Sequence, residues 1–305
     1  MLVELLLLER LSDSDLVLLA EAAGEPGSQT QRAARLRDRP ADLDRLLARP
    51  EVFGALFEDT YEDPIVVAGP FVAFAVLLAH TPAILEGLTF APERVGRRST
   101  VPVFEVEPLR EFVADPLRRL FLAELLASYT HVASGALWVK SQRGWRHRRF
   151  SELDPAQFAE LILSVPPDQR LVLYRRLGDL ALFLSGVFPD YVESRTLMPI
   201  AVERLRRAVG GDGSATVGLE PGVADLGGDQ RQEPGTAGLG ELRLLESVGR
   251  RCYRLAWDAT GRGDLGLAPA LGYVAEHFRH ARMILNFLTD RYLFEHRERW
   301  FPFGT

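Results

Sequence analysis

The sequence predicts a mainly α protein, a multi-helix bundle with one β-hairpin. Three observations predict it. Apolar runs that open on Ser, Asp or Pro recur along most of the chain, and these residues begin helices. Residues 136–150, A-L-W-V-K-S-Q-R-G-W-R-H-R-R-F, set strand-favouring Trp, Val and Phe around the turn Ser-Gln-Arg-Gly. Residues 209–240 are rich in Gly and lack any periodicity, so they interrupt the helical pattern instead of continuing it.

In chain order, residues 1–60 read as short helices. Ser12 or Ser14 can cap a helix over Asp15–Ala23, because a short side-chain oxygen accepts the orphan amide hydrogens of a first turn. Pro40 and Pro50 open two more, since a first helical residue needs no N–H. V-A-F-A-V-L-L-A-H at 72–80 is apolar on every side, the pattern of a buried central helix. Thr100–Val106 reads as a short strand that Pro102 confines to an edge. Helices follow near 107–114 and 116–134, then the hairpin. Further helices run from Asp154-Pro155 to Ser164, from Pro167-Asp168 to Leu184, and from Asp190 to Ala208.

These elements give three regions. Residues 1–208 form a helical domain containing the hairpin at 136–150. Residues 209–240, with five acids against one Arg, form a flexible acidic linker that cannot bury enough surface to offset its ordering entropy. Residues 241–305 hold a helical pair, Glu241–Trp257 and about Pro269–His296. That pair is too small to stand alone and is expected to pack back on the first domain.

Composition bounds the function. The 305 residues carry a formal net charge of −6, and their 36 basic residues include a single lysine, Lys140. The arginine excess is a codon signature of a GC-rich genome before it is a functional one. An acidic balance excludes a surface built throughout for nucleic acid or anionic lipid, and leaves only local basic patches. The lone Cys252 excludes an internal disulfide and a Cys-rich zinc module, and fits a reducing cytoplasm. The start M-L-V-E-L-L-L-L-E-R lacks the basic region and cleavage site of a secretory signal. The apolar run Ile65–Ala79, broken by Pro70, is shorter than the roughly 18 residues of a span. The expectation is a cytoplasmic protein with no membrane contact.

The hairpin is the leading candidate site. No Asp or Glu occurs between Glu124 and Glu152, so Trp138, Lys140, Arg143, Trp145, Arg146, His147, Arg148 and Arg149 make a basic, aromatic finger on an acidic protein. Lys140 faces either Trp145 or Arg146, depending on whether Gly144 forms a bulge. Cations over Trp faces gain ~0.5–1 kcal/mol when exposed. The same mixture suits an acidic protein partner, stacked bases with phosphates, or the chain's own acidic linker. Lys140 reads as a solvated lysine rather than a Schiff-base amine, given the arginines around it.

The order strand, helix, helix, hairpin over 100–150 resembles a degenerate winged-helix module in element order only. In that fold the helix before the wing enters the major groove with polar side chains. Here it reads L-R-R-L-F-L-A-E-L-L-A-S-Y-T-H-V-A-S, too apolar for a groove beyond Arg119. Nucleic-acid binding is therefore the second reading. The third is a metal- or haem-dependent enzyme. Glu124 and His131 share one stripe of the 116–134 helix, and Glu276 and His280 share one stripe of the last helix. Packed together, they would resemble the carboxylate–histidine sites of helical bundles, although neither helix has the Glu-x-x-His spacing of di-iron proteins. His80, at the end of the central apolar helix, reads as a haem ligand or as a helix-terminal imidazole favoured by the dipole there. Buried Glu and His paired with arginine is the simpler account of these residues.

No G-x-S-x-G, Walker A or H-E-x-x-H motif occurs. The leading reading is a non-enzymatic interaction, scaffold or regulatory protein without a cofactor. The aromatic ending with Trp300, Phe301 and Phe303 is expected to dock in a groove of its own chain or of a second subunit, which would make a homo-oligomer.

Overall fold

The computed structural model describes residues 2–58, 62–96, 99–131, 134–141, 144–151, 153–166, 169–194, 198–210, 237–260 and 266–301. Helices α1 (Leu2–Arg10), α2 (Asp13–Ala22), α3 (Gln29–Asp38), α4 (Leu43–Leu47), α5 (Pro50–Phe57) and α6 (Pro64–Glu86) come first. An antiparallel ribbon of β1 (Ala91–Gly96) and β2 (Ser99–Val103) follows, then α7 (Glu107–Ala114) and α8 (Pro116–Ser128). The hairpin pairs β3 (Ser134–Ser141) with β4 (Gly144–Ser151). Helices α9 (Pro155–Ser164), α10 (Arg170–Val187), α11 (Pro189–Ser194) and α12 (Pro199–Gly210) come next. The last are α13 (Ala237–Thr260), α14 (Ala268–Glu276), α15 (Phe278–Leu288), a π-helical turn over Thr289–Leu293, and α16 (Arg297–Trp300). The fold is mainly α, a helical bundle with the expected hairpin.

The chain divides into two compact units. The first comprises Met1–Phe90, Phe104–His131 and Glu298–Pro302. Ser12, not Ser14, caps α2. Its hydroxyl accepts the Asp15 N–H at 3.2 Å and the Asp15 carboxylate accepts the Ser12 N–H at 2.8 Å, a capping box. Helix α6 is the core of this unit, with Val72–Ala79 buried and α5, α7 and α8 packed around it. It extends beyond the apolar run read from the sequence. By length and composition it could cross a bilayer, but 61% of its most apolar window is buried inside the protein. It is also bent: Gly69 sits at φ 73°, ψ 157°, so the helix breaks and restarts at Pro70. Pro70 disfavours a helical residue before it, and only Gly takes a positive φ without steric cost.

The second unit comprises Ala91–Val103, Val132–Arg297 and Phe303–Thr305. Its centre is α10, whose half from Leu177 to Val187 is buried on all sides. Helix α13 lies along it so closely that a Cβ on Gly178 would stand 2.6 Å from the Tyr253 ring. The Tyr253 hydroxyl then donates to the buried Asp179 at 2.9 Å.

Several predicted elements shift. The strand expected at 100–106 is β2, but it pairs with β1, which Pro92 and a lack of alternation hid from the sequence. It forms a sheet separate from the hairpin, so the 100–150 order does not build the joint sheet of a winged helix. The 116–134 helix stops at Ser128, where the hydroxyls of Ser128 and Thr130 take the carbonyls of Leu125 and Ala127 at 2.8 Å. The 190–208 segment divides into α11 and α12, and the last long helix breaks at His277. Most of the expected linker, residues 211–236, lies outside the described residues, and α13 begins at Ala237.

Helix ends follow one pattern. Asp63, Asp115 and Asp154 accept first-turn amides ahead of Pro64, Pro116 and Pro155. The carbonyl ends of α6 and α7 are closed by arginine. Arg118 and Arg119 take all four terminal carbonyls of α7, those of Glu111, Phe112, Val113 and Ala114, at 2.6–3.3 Å. Arg110 bonds Leu85, Glu86 and Leu88 at the end of α6. A guanidinium suits this place because it offers five donors and a positive charge to the negative end of the helix dipole.

Candidate functional site

The hairpin register is continuous from Ser134↔Ser151 to Ser141↔Gly144. It pairs Lys140 with Trp145, Trp138 with His147 and Ala136 with Arg149. Of the two registers open to the sequence, the structure thus has the unbulged one. Gln142 and Arg143 are left as the connection, outside the described residues. Opposed residues of an antiparallel pair share a face, and successive residues alternate. Trp138, Lys140, Trp145, His147 and Arg149 therefore occupy one face of the ribbon, with aromatic and cationic positions alternating across it. Arg146 and Arg148 occupy the other face, opposite Val139 and Leu137. Among the described elements, each of the two strands has the other as its main neighbour.

The residues proposed for a metal behave otherwise. Glu124 in α8 meets Arg10 Nε at 3.0 Å. His131 lies three residues beyond the end of α8, exposed, with its Nδ1 2.9 Å from the Thr130 hydroxyl. The shared stripe of Glu124 and His131 therefore does not form. Glu276 is the last residue of α14 and is exposed, while His280 belongs to α15, across the break at His277. Their common stripe is lost for the same reason, a helix that does not continue. Among the described residues, no group of three or more His, Cys, Asp or Glu side chains could hold a metal ion. His80 lies within α6 and stacks on Phe53, with ring centroids 4.1 Å apart.

One spacing passed over in the sequence is G-R-G-D-L-G at 261–266, which matches G-x-G-x-x-G. It follows helix α13 rather than a strand, so it lacks the strand–turn–helix setting that gives the motif its meaning. Its first five residues lie outside the described ones.

A buried polar cluster in the second unit left no trace in the sequence. Glu93 on β1 is 5% exposed and accepts from Arg282 Nη2 at 2.7 Å and from Arg279 Nε at 2.8 Å. Arg282, itself 3% exposed, also approaches Glu246 at 3.4 Å and Asn286 at 3.3 Å. Burial alone would push the Glu93 carboxyl up, but bonds from Arg279 and the charge of Arg282 hold it below its ordinary value. Asn286 donates to the Ser185 and Gly186 carbonyls at 3.1 and 2.6 Å. Together with Arg297 on Val187 at 3.4 Å and the Phe188 amide on Leu184 at 3.1 Å, it satisfies all four terminal carbonyls of α10. This cluster fastens secondary structure. Its charges are consumed by one another, which suits structure better than catalysis.

The first unit has a cleft of about 600 Å³ lined by Phe104, Glu105, Val106, Glu107 and Arg110, among others. Phe104 of its lining forms an exposed aromatic pair with Phe90, ring centroids 6.0 Å apart. Trp300 and Phe301 of the tail are buried within the same unit, while Phe303 lies outside the described residues. No protein-family model, curated protein or solved structure matches this chain.

Proposed function

We propose that the protein is a non-enzymatic cytoplasmic interaction protein, a scaffold or regulator, whose contact surface is the ribbon of β3 and β4. The observation that carries this reading is the register, which sets Trp138, Lys140, Trp145, His147 and Arg149 on one face. Trp and Arg are the residues on which binding energy concentrates, because they bury large, rigid surfaces and still make directed polar contacts. The partner chemistry that fits is an acidic protein surface. Flat π faces and cations also suit stacked bases and phosphates, so nucleic acid is the competing ligand.

Alanine at Trp138, Lys140, Trp145 and Arg149 together, all on that face, is expected to abolish partner pull-down while far-ultraviolet circular dichroism stays that of the parent. Undiminished pull-down would refute the reading. A salt titration separates the ligands: affinity for nucleic acid falls steeply as log[salt] rises. A flat titration with single-stranded DNA or RNA rules that ligand out. Elemental analysis finding stoichiometric metal would favour the enzyme reading instead.

A further inference from the structure

We propose that helix α13 carries a face for single-stranded nucleic acid, on which Arg243, Arg250 and Arg254 hold phosphates and Trp257 stacks a base. The face lies wholly within the second unit and uses no residue of the ribbon. Helix α13 runs unbroken over Ala237–Thr260, so positions a whole number of turns apart share one side of it. Arg250, Arg254 and Trp257 follow Arg243 at about two, three and four turns, which sets all four within ~60° of one another. The stripe is about 21 Å long at 1.5 Å per residue. Leu245, Val248, Cys252 and Ala256 take the opposite, buried side.

What sets these arginines apart is that their charge is unspent. Among the described residues, none of the three guanidinium groups meets a carboxylate or makes a hydrogen bond, although Arg250 and Arg254 are half-buried. Arg118, Arg119 and Arg282 each meet a carboxylate, and Arg251 on the flank of α13 gives its Nε to the Val209 carbonyl at 3.3 Å. A cation drawn partly out of water is costly unless paired, so three aligned open forks point to an anion brought from outside. Trp257 decides the class of that anion. Its indole is 38% exposed, and one ring face rests on Gly272 of α14, where a Cβ would stand 3.2, 3.3 and 3.6 Å from Cδ2, Cε2 and Cε3. A ring seated on one face and open to solvent is a platform on which any base can stack. An acidic peptide offers the charge without the flat π surface, and a duplex keeps its bases stacked inside. Asp258, the exposed acid of α13, follows Trp257 at the end of the helix, so the positive charge is concentrated over 243–254.

The test titrates the full chain with a fluorescein-labelled oligothymidine and reads anisotropy. Three phosphate contacts to a single strand give log K against log[salt] a slope of about −2, so affinity falls about 20-fold between ~50 and ~200 mM salt. Arg250→Gln with Arg254→Gln keeps good helix formers and should weaken binding at low salt at least tenfold, leaving a slope of about −0.7. Trp257→Leu keeps an apolar contact with Gly272 and should weaken binding at least fivefold with the slope unchanged. The ribbon variant, alanine at Trp138, Lys140, Trp145 and Arg149, tells the two surfaces apart and should bind as the parent does. No binding, a flat titration, or full affinity in either α13 variant would overturn the proposal. So would loss of binding in the ribbon variant alone, which assigns the strand to the ribbon, or displacement by oligoglutamate at equal charge, which makes the ligand an acidic protein. If the Gln pair does not fold by circular dichroism, the parent's slope and Trp257→Leu still decide.

Discussion

Glu93 carries more of the second unit than its place in A-P-E-R-V-G suggests. Its partners are 186 and 189 residues away, so no local pattern marks it, and the buried cluster was illegible for that reason. Because its carboxyl is held below the ordinary value of 4.5, the pair contributes stability above that pH and loses it as pH falls through the lower, folded value. Glu93→Gln leaves Arg282 buried with a weaker partner, and removing one member of a buried pair costs ~3–5 kcal/mol. At pH 7 we expect a loss near the lower figure in urea unfolding, since Glu246 still reaches Arg282. The gap from the parent should narrow below about pH 4.5; a gap that is constant down to pH 3 would contradict this.

Elements were legible where their cause is local. Ser12 and Asp154 each begin a helix through a bond spanning two or three residues, and both were read from the sequence, Ser12 beside Ser14; Asp63 and Asp115 cap in the same local way but were not read. Helix ends were illegible, because their arginines and Asn286 come from other elements. The stripe logic for Glu124 with His131, and for Glu276 with His280, failed because it assumed helices that continue. The sharpest local exception is Gly69-Pro70 in α6. A side chain at Gly69 would find open space, yet its φ of 73° is one that L residues rarely adopt. Gly69→Ala should therefore destabilise the protein by ~1–2 kcal/mol through backbone conformation alone. Thermal unfolding measures this, and a variant as stable as the parent would show that the break relaxes.

At the scale of the whole molecule, the fold class was legible because most apolar runs carry their own start signals. The hairpin's existence was legible as well, and only its register required the structure. Of the ribbon β1–β2 only the strand at 100–106 was read; β1 was missed because Pro92 and a lack of alternation hide it, though Pro92 sits opposite Pro102. The arginine excess, first a matter of codons, has a structural use at carbonyl ends. Lysine keeps the charge but lacks the planar fork of donors. Replacing Arg110 and Arg119 by Lys should thus cost ~2 kcal/mol or more. Replacing Arg37 and Arg207, which make exposed ion pairs, should cost under about 0.5 kcal/mol each. Denaturation midpoints compare the two; equal shifts would remove the capping role.

The closing of α10 by Asn286 also sets an order in time. Its carbonyls at Ser185 and Gly186 wait for a side chain made 101 and 100 residues later. At synthesis rates of roughly 5–20 residues per second, that is about 5–20 s in which the helix exists with its end unfinished. Tail residues 299 and 300 reach Asp63 across a still longer stretch. Asn286 on α10 and the tail residues on Asp63 thus all belong to the last third of the chain, so neither contact can form before that third is made.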